Sequence, residues 1–214
     1  MKIVIFLQYI SYLSTFVSFV AAVIYWKKKK FSFDNKVNLV GIYVVVYFVF
    51  QFFMLLLAVK GTNNLFLIRI FAPFETFIFA FFILSLQIRS NKNSLFISII
   101  LSLAIILIDL YWGEKGFMPV ESLMVQAITI TLLGMSAIPS IKIRHDYESA
   151  FFYFTFSILF ASVNTLLGVG FIDLAPGLSV NIQAIVSITS HLIFAWGFYI
   201  IIKSESEVKE LQKQ

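Results

Sequence analysis

The sequence predicts an all-α, polytopic membrane protein: a seven-transmembrane-helix bundle with its N-terminus outside and its C-terminus in the cytoplasm. Three observations carry this. Seven apolar stretches fill nearly all of the 214 residues, at approximately 3–26, 37–59, 65–87, 94–112, 118–139, 150–171 and 179–202. Each reaches the ~20 residues a helix needs to cross the hydrocarbon core. Runs such as Tyr43 to Tyr47 and Phe77 to Leu84 do not alternate in polarity, as the strands of a membrane barrel would. Composition agrees: 60% of residues are hydrophobic and 13% charged, whereas soluble domains are about half apolar and a quarter charged. Mean hydropathy is +0.95. The expected organisation is a seven-helix transmembrane domain over 1–203 and a short cytoplasmic tail over 204–214.

The first stretch, Ile3 to Trp26, exceeds the ~7–15 residues of a signal-peptide core, and its positive charge follows it. It is expected to stay as helix 1, with Ser11, Thr15, Ser18 and Ala22 in one helical stripe. Helix 2 is an almost unbroken apolar run. Helix 3 carries Arg69, Pro73 and Glu75, and helix 4 carries Asp109 near its outer end. Helix 5 opens on Glu121 and continues with Ser122, Gln126, Thr129 and Ser136 on one face. Helix 6 aligns Ser157, Ala161, Asn164 and Gly168. Helix 7 aligns Gln183, Ser187 and Ser190, with His191 adjoining. Small and polar stripes of this kind serve tight packing between membrane helices. That is the expectation for helices 1 and 6. On helix 7, Gln183 and His191 are larger than packing needs, so a polar cavity is an equal expectation there.

Orientation follows from the 16 Lys and Arg. Lys27, Lys28, Lys29, Lys30, Lys36, Arg89, Lys92, Lys142, Arg144, Lys203, Lys209 and Lys213 follow odd-numbered helices. Only Lys2, Lys60, Arg69 and Lys115 fall on the other side. Positive charge marks the cytoplasmic side, so odd helices run inward. Trp26 and Trp112 fall at span ends, where interfacial rings are expected. The abundance of Phe, Ile, Lys and Asn points to a bacterium with an AT-rich genome, hence to the cytoplasmic (inner) membrane. Nothing resembles a basic patch for nucleic acid.

Ionisable side chains inside spans are costly and mark function by default. Arg69, Glu75, Asp109 and Glu121 all fall in the outer half, where they could converge between helices 3, 4 and 5. Arg69 and Glu75 are ~240° apart around their helix, so they do not pair along one face. Arg69 is expected to pair with Asp109 or Glu121, the acids otherwise lying among headgroups. The helical neighbours of Glu75 (Phe71, Ala72, Ile78 and Phe79) are apolar. It is therefore expected to face the interior and take a partner such as Gln126, Asn164, Gln183 or His191, or to carry a proton. Cys is absent, which excludes disulfides, thiolate nucleophiles and Cys-based metal sites. With two His, only a mixed Glu75, Glu121 and His191 site is conceivable for a metal. No cofactor is expected. There is no retinal-type Lys in helix 7, no phosphate loop and no nucleophile elbow, so the chain is expected not to be an enzyme.

Pro73-Phe74-Glu75-Thr76 and Pro119-Val120-Glu121-Ser122 share the pattern Pro-x-Glu-[Ser/Thr]. Proline removes a helix hydrogen bond and can kink the helix beside each acid. The pairing of helices 3 and 5 does not match the three-plus-one-plus-three repeat of seven-helix sugar transporters. Asn64-Leu65-Phe66-Leu67-Ile68, Pro73-x-Glu75, Glu121-Ser122 and a helix 7 running from Gln183-x-Ile185 to Gly197 together resemble an uncharacterised group of seven-helix membrane proteins of Bacteroidota. The resemblance covers the chain from about helix 2 onward. It implies that Glu75 and Glu121 are shared polar positions and that His191 stands where the group often has an amide. It implies no activity. The functional expectation is a receptor-like sensing module with an outer-facing polar cavity, taking a small-molecule ligand from outside and signalling to a separate cytoplasmic protein. The alternative is a small-solute or proton-coupled transporter, with Glu75 as the protonatable group and helix breaks at Pro73 and Pro139.

Overall fold

A computed structural model describes residues 2–28, 36–60, 65–88, 90–112, 120–141, 146–171 and 176–211. They form seven α-helices: α1 (Lys2–Lys28), α2 (Lys36–Val59), α3 (Leu65–Gln87), α4 (Asn91–Trp112), α5 (Val120–Ala137), α6 (Asp146–Phe171) and α7 (Pro176–Leu211). All seven are long and apolar enough to cross a membrane. The helix bounds run past the apolar stretches where flanking polar residues continue a helix. Asn91 to Asn93 lengthen α4 and Asp146 to Glu148 lengthen α6. The tail from Ser204 to Leu211 continues α7 without a break. At Pro139 the end of α5 tightens into a 3-10 turn, Ile138–Ser140. Lys29, Lys30, Arg89, Lys115, Pro119, Lys142, Arg144, His145 and Lys213 lie outside the described residues, as do the side chains of Lys2, Gly168 and Lys209.

Six helices close a ring in the order α1, α2, α3, α5, α6, α7, and α7 returns to α1. Helix α4 stands outside it against α3 and α5. Its outward face, including Phe96, Leu103, Leu107 and Leu110, is exposed, as suits a lipid contact. Ser102 Oγ on α4 donates to the Pro73 carbonyl of α3 at 2.8 Å. Thr76 Oγ1 donates back to the Ala72 carbonyl at 2.8 Å, and α3 stays one continuous helix through its proline. The break expected there is absent: α3 runs from Leu65 to Gln87 with Pro73 inside it.

The stripes on α1, α6 and α7 act largely as packing seams. Ser11 Oγ donates to Ser187 Oγ at 3.1 Å, tying α1 to α7. Ser157 and Ser190 exchange bonds between α6 and α7: their hydroxyls lie 3.0 Å apart, and Ser190 Oγ donates to the Ser157 carbonyl at 3.0 Å. Below these seams, toward the end of the bundle that carries Lys27, Lys36 and Lys203, aromatic rings fill the ring's interior. Tyr43 lies 4.4 Å from Phe79 and 5.6 Å from Phe194, ring centre to ring centre. Phe154 lies 5.0 Å from Phe198 and 6.2 Å from Phe82. All of these are buried.

Gly197 makes the α6–α7 approach possible. A Cβ there would lie 2.5 Å from Phe154 Cε1, and Phe154 is itself fully buried. Gly197→Ala is expected to lower stability by roughly 1–3 kcal/mol, the usual effect of overpacking. Thermal melting of the detergent-solubilised protein checks this; an unchanged midpoint would show that the contact is loose.

Candidate functional site

Above the aromatic layer, the ring encloses a cavity of about 220 Å³. Its polar lining comes from four helices. Tyr43, Tyr47 and Gln51 project from α2 at four-residue spacing, which puts them on one face. Glu75 comes from α3. Asn164 and Thr165 come from α6, and Gln183, Ser187 and His191 from α7. Phe50, Phe71 and Leu123 complete the wall. A second cavity of about 180 Å³ shares Tyr47, Gln51, Asn164, Gln183 and Ser187 and adds Ser11 and Tyr12 of α1. The two flank Tyr47 and Gln51. Along the helices, the lining runs from the middle of the bundle toward the end where α2 meets α3 and α6 meets α7. Under the positive-inside assignment, that end is the outer one.

Glu75 stands at the deep end, near the midpoint of α3. Tyr43 Oη donates to Glu75 Oε1 at 2.9 Å, and Gln126 Nε2 of α5 donates to Oε2 at 2.7 Å. Each carboxyl oxygen therefore takes one hydrogen bond from a different neighbouring helix. Among the described residues, no Lys or Arg lines the cavity. An ionised carboxylate has about four acceptor positions, so two remain after these bonds.

His191 is buried and held by its own helix. Its Nδ1 lies 2.8 Å from the Ser187 carbonyl. A carbonyl only accepts, so Nδ1 carries the proton and Nε2 of the neutral ring is an acceptor. The Tyr47 ring covers the imidazole at 4.7 Å. Gln51 Nε2 donates to Tyr47 Oη at 2.7 Å, which leaves the phenol proton to be donated elsewhere. His191 Nε2 and Asn164 Oδ1 are buried polar atoms with no hydrogen bond among the described residues. A buried polar atom left so costs about 1–3 kcal/mol, and both belong to side chains of the cavity wall. The wall therefore combines a carboxyl, amides, hydroxyls and an imidazole around one small space.

The sequence candidates divide into three places. Glu75, Asn164, Gln183 and His191 line the cavity, and Gln126 braces Glu75 from behind. Arg69 pairs with Asp109 of α4, Nε to Oδ1 at 3.8 Å, with both side chains partly exposed at 25% and 16%. Glu121 is exposed on the first turn of α5, outside the cavity. The convergence of four charges at similar depth is thus corrected: Glu75 lies a turn and a half deeper than Arg69 and faces the ring's interior, while Arg69 turns toward α4. Glu75, Glu121 and His191 likewise do not form one metal-ligand set. Tyr43, Tyr47 and Gln51 escaped the sequence reading, because tyrosines in an apolar run read as span material. Their spacing of four was the available signal.

The Arg69–Asp109 pair is neither solvated nor sealed. Exposed pairs contribute ~0–1 kcal/mol, and breaking a buried one costs about 3–5 kcal/mol. Arg69→Ala is expected to fall between, at roughly 1–3 kcal/mol. A melting midpoint equal to the wild type would show the pair contributes nothing.

No family model, curated protein or solved structure matches this chain.

Proposed function

We propose that this multi-pass membrane protein is a receptor-like sensing module that binds a small polar solute in the cavity over Glu75. The observation that carries the reading is the shape of the lumen: a polar cavity at one end and a packed aromatic layer at the other. Tyr43, Phe79, Phe194 and Phe154 are buried side by side below Glu75. A carrier needs an open route to both faces in turn and draws on broken helices, whereas α3 and α7 run unbroken through the site. The cavity is smaller than the ~300–1,000 Å³ of drug-sized sites, which favours a solute of a few heavy atoms. One carboxyl, several amides and hydroxyls and no basic side chain favour a neutral or cationic ligand, such as a small amine or amide, over an anion. Ligand contacts across α2, α3, α6 and α7 would bias how these helices pack. Helix α7 reads out that change, since it lines the cavity and continues to Leu211, where a separate cytoplasmic protein would meet it.

Thermal melting against a panel of small amines and amides tests this. A true ligand at ~100-fold its Kd stabilises by about 2.7 kcal/mol, and Glu75→Gln should remove the effect for amines. No stabilisation by any amine or amide would sink the binding reading. The transporter alternative rests on the mid-span position of Glu75, where a proton-coupled carrier would keep its carboxyl. Flux of a stabilising solute into proteoliposomes would favour transport over sensing.

A further inference from the structure

The opposite end of the bundle holds a larger cavity, of about 570 Å³, on the outside of the ring. It lies where α2 and α4 flank α3. Its shaft is apolar, walled by Phe74, Phe77 and Phe81 of α3 with Leu39 of α2 and Leu95 of α4. Its mouth is polar and basic: Lys36, Ser85, Asn91 and Lys92 line it. Lys36 opens α2 and its Nζ donates to the Ser85 carbonyl at 2.5 Å. An ammonium has three N–H donors, and that bond uses one. Lys92 is exposed in the first turn of α4, where the helix dipole adds positive potential.

We infer that this groove is a binding site for one anionic phospholipid, its phosphate between Lys36 and Lys92 and one acyl chain along Phe81, Phe77 and Phe74. Dimensions and charge both point to this occupant. From Ser85 to Phe74 the shaft runs ~16 Å along the helix, about half of the ~30 Å hydrocarbon core, which is the reach of one leaflet. An apolar shaft suits an acyl chain rather than an aqueous solute, and a zwitterionic lipid would bring a cation of its own beside the two ammonium groups. The site lies at the end that also carries Lys27, Lys28 and Lys203; anionic lipid attracts such basic clusters. The bound lipid would tie α2, α3 and α4 together.

The test is native mass spectrometry of the full chain with dioleoyl-phosphatidylglycerol and dioleoyl-phosphatidylcholine at equal concentration. Each lysine near an anionic headgroup is worth about fivefold in affinity, so the wild type should prefer phosphatidylglycerol by roughly 25-fold. Lys92→Gln, an exposed change that leaves the Lys36–Ser85 bond intact, should cut the preference to roughly fivefold. Leu95→Trp keeps both lysines and fills the shaft, and should lose binding of either lipid. Equal retention of the two lipids by the wild type would overturn the inference. So would an unchanged preference in Lys92→Gln, undiminished binding by Leu95→Trp, or displacement of the lipid by inorganic phosphate alone.

Discussion

Glu75→Leu is expected to lower the melting midpoint of the detergent-solubilised protein by roughly 4–24 °C, taking ~2–4 °C per kcal/mol at this chain length. The leucine fills a similar volume but accepts nothing. Tyr43 Oη and Gln126 Nε2 each lose their acceptor, and both side chains are buried. A buried donor stripped of its partner costs about 1–3 kcal/mol, so two cost roughly 2–6 kcal/mol out of a total stability on the order of 5–15 kcal/mol. Glu75→Gln is the control. Its carbonyl still accepts from Tyr43, and its amide donates to Gln126 once that side chain turns its own carbonyl inward. It should melt within a few degrees of the wild type while losing the preference for cationic ligands. A Glu75→Leu protein as stable as the wild type would mean that water satisfies both donors and that the carboxyl braces nothing.

Phe194→Ala should have an effect of similar size by another route. Phe194 is fully buried, with ring centres of Tyr43 at 5.6 Å, Phe154 at 6.3 Å and His191 at 6.3 Å. Removing a core phenylalanine costs about 3–5 kcal/mol in proteins generally. In a bilayer the lower end applies, because lipid-facing and protein-facing apolar surface differ little and the loss is one of packing contacts. The functional consequence is more specific than the stability loss. The side chain sits directly under the polar cavity, so its removal should connect that cavity to the space below. Melting measures the first effect. The second is measured by labelling a cavity cysteine from the basic side of the membrane, which should become possible only in the Phe194→Ala background. A variant that melts as the wild type would show that the aromatic layer is not tightly packed.

The helices were legible in the sequence because the bilayer imposes one simple requirement, ~20 apolar residues per crossing, and each stretch meets it. Their ends were less so, because helix continues wherever polar residues still favour it: Asp146 to Glu148 and the run to Leu211 carry no apolar signal. Glu75 was legible as an interior residue because nothing on its own helix could satisfy it. Gln126 appeared among its expected partners, since a Gln on a small-residue stripe has few other uses in a span. Tyr43 did not, because a phenol in an apolar helix is read by its ring, and which way its hydroxyl points depends on how α2 is rotated in the bundle. The Pro-x-Glu pattern misled for a related reason. It fixes the local turn and not the depth: Glu75 follows ten residues of α3, while Glu121 is the second residue of α5.

The central claim is that the cavity over Glu75 opens to one side only. The cysteine-free sequence permits a direct measurement with single cysteines and a small, impermeant thiol reagent. On the orientation that the positive-inside rule implies, Gly116→Cys is the reference for the outer face and Ser32→Cys for the inner one. Ser187→Cys and Thr165→Cys, small changes in the cavity wall, should label in intact cells together with Gly116→Cys. They should stay unlabelled in inside-out vesicles, where Ser32→Cys reacts. Labelling of Ser187→Cys or Thr165→Cys from the side of Ser32→Cys, or from both sides, would contradict the account.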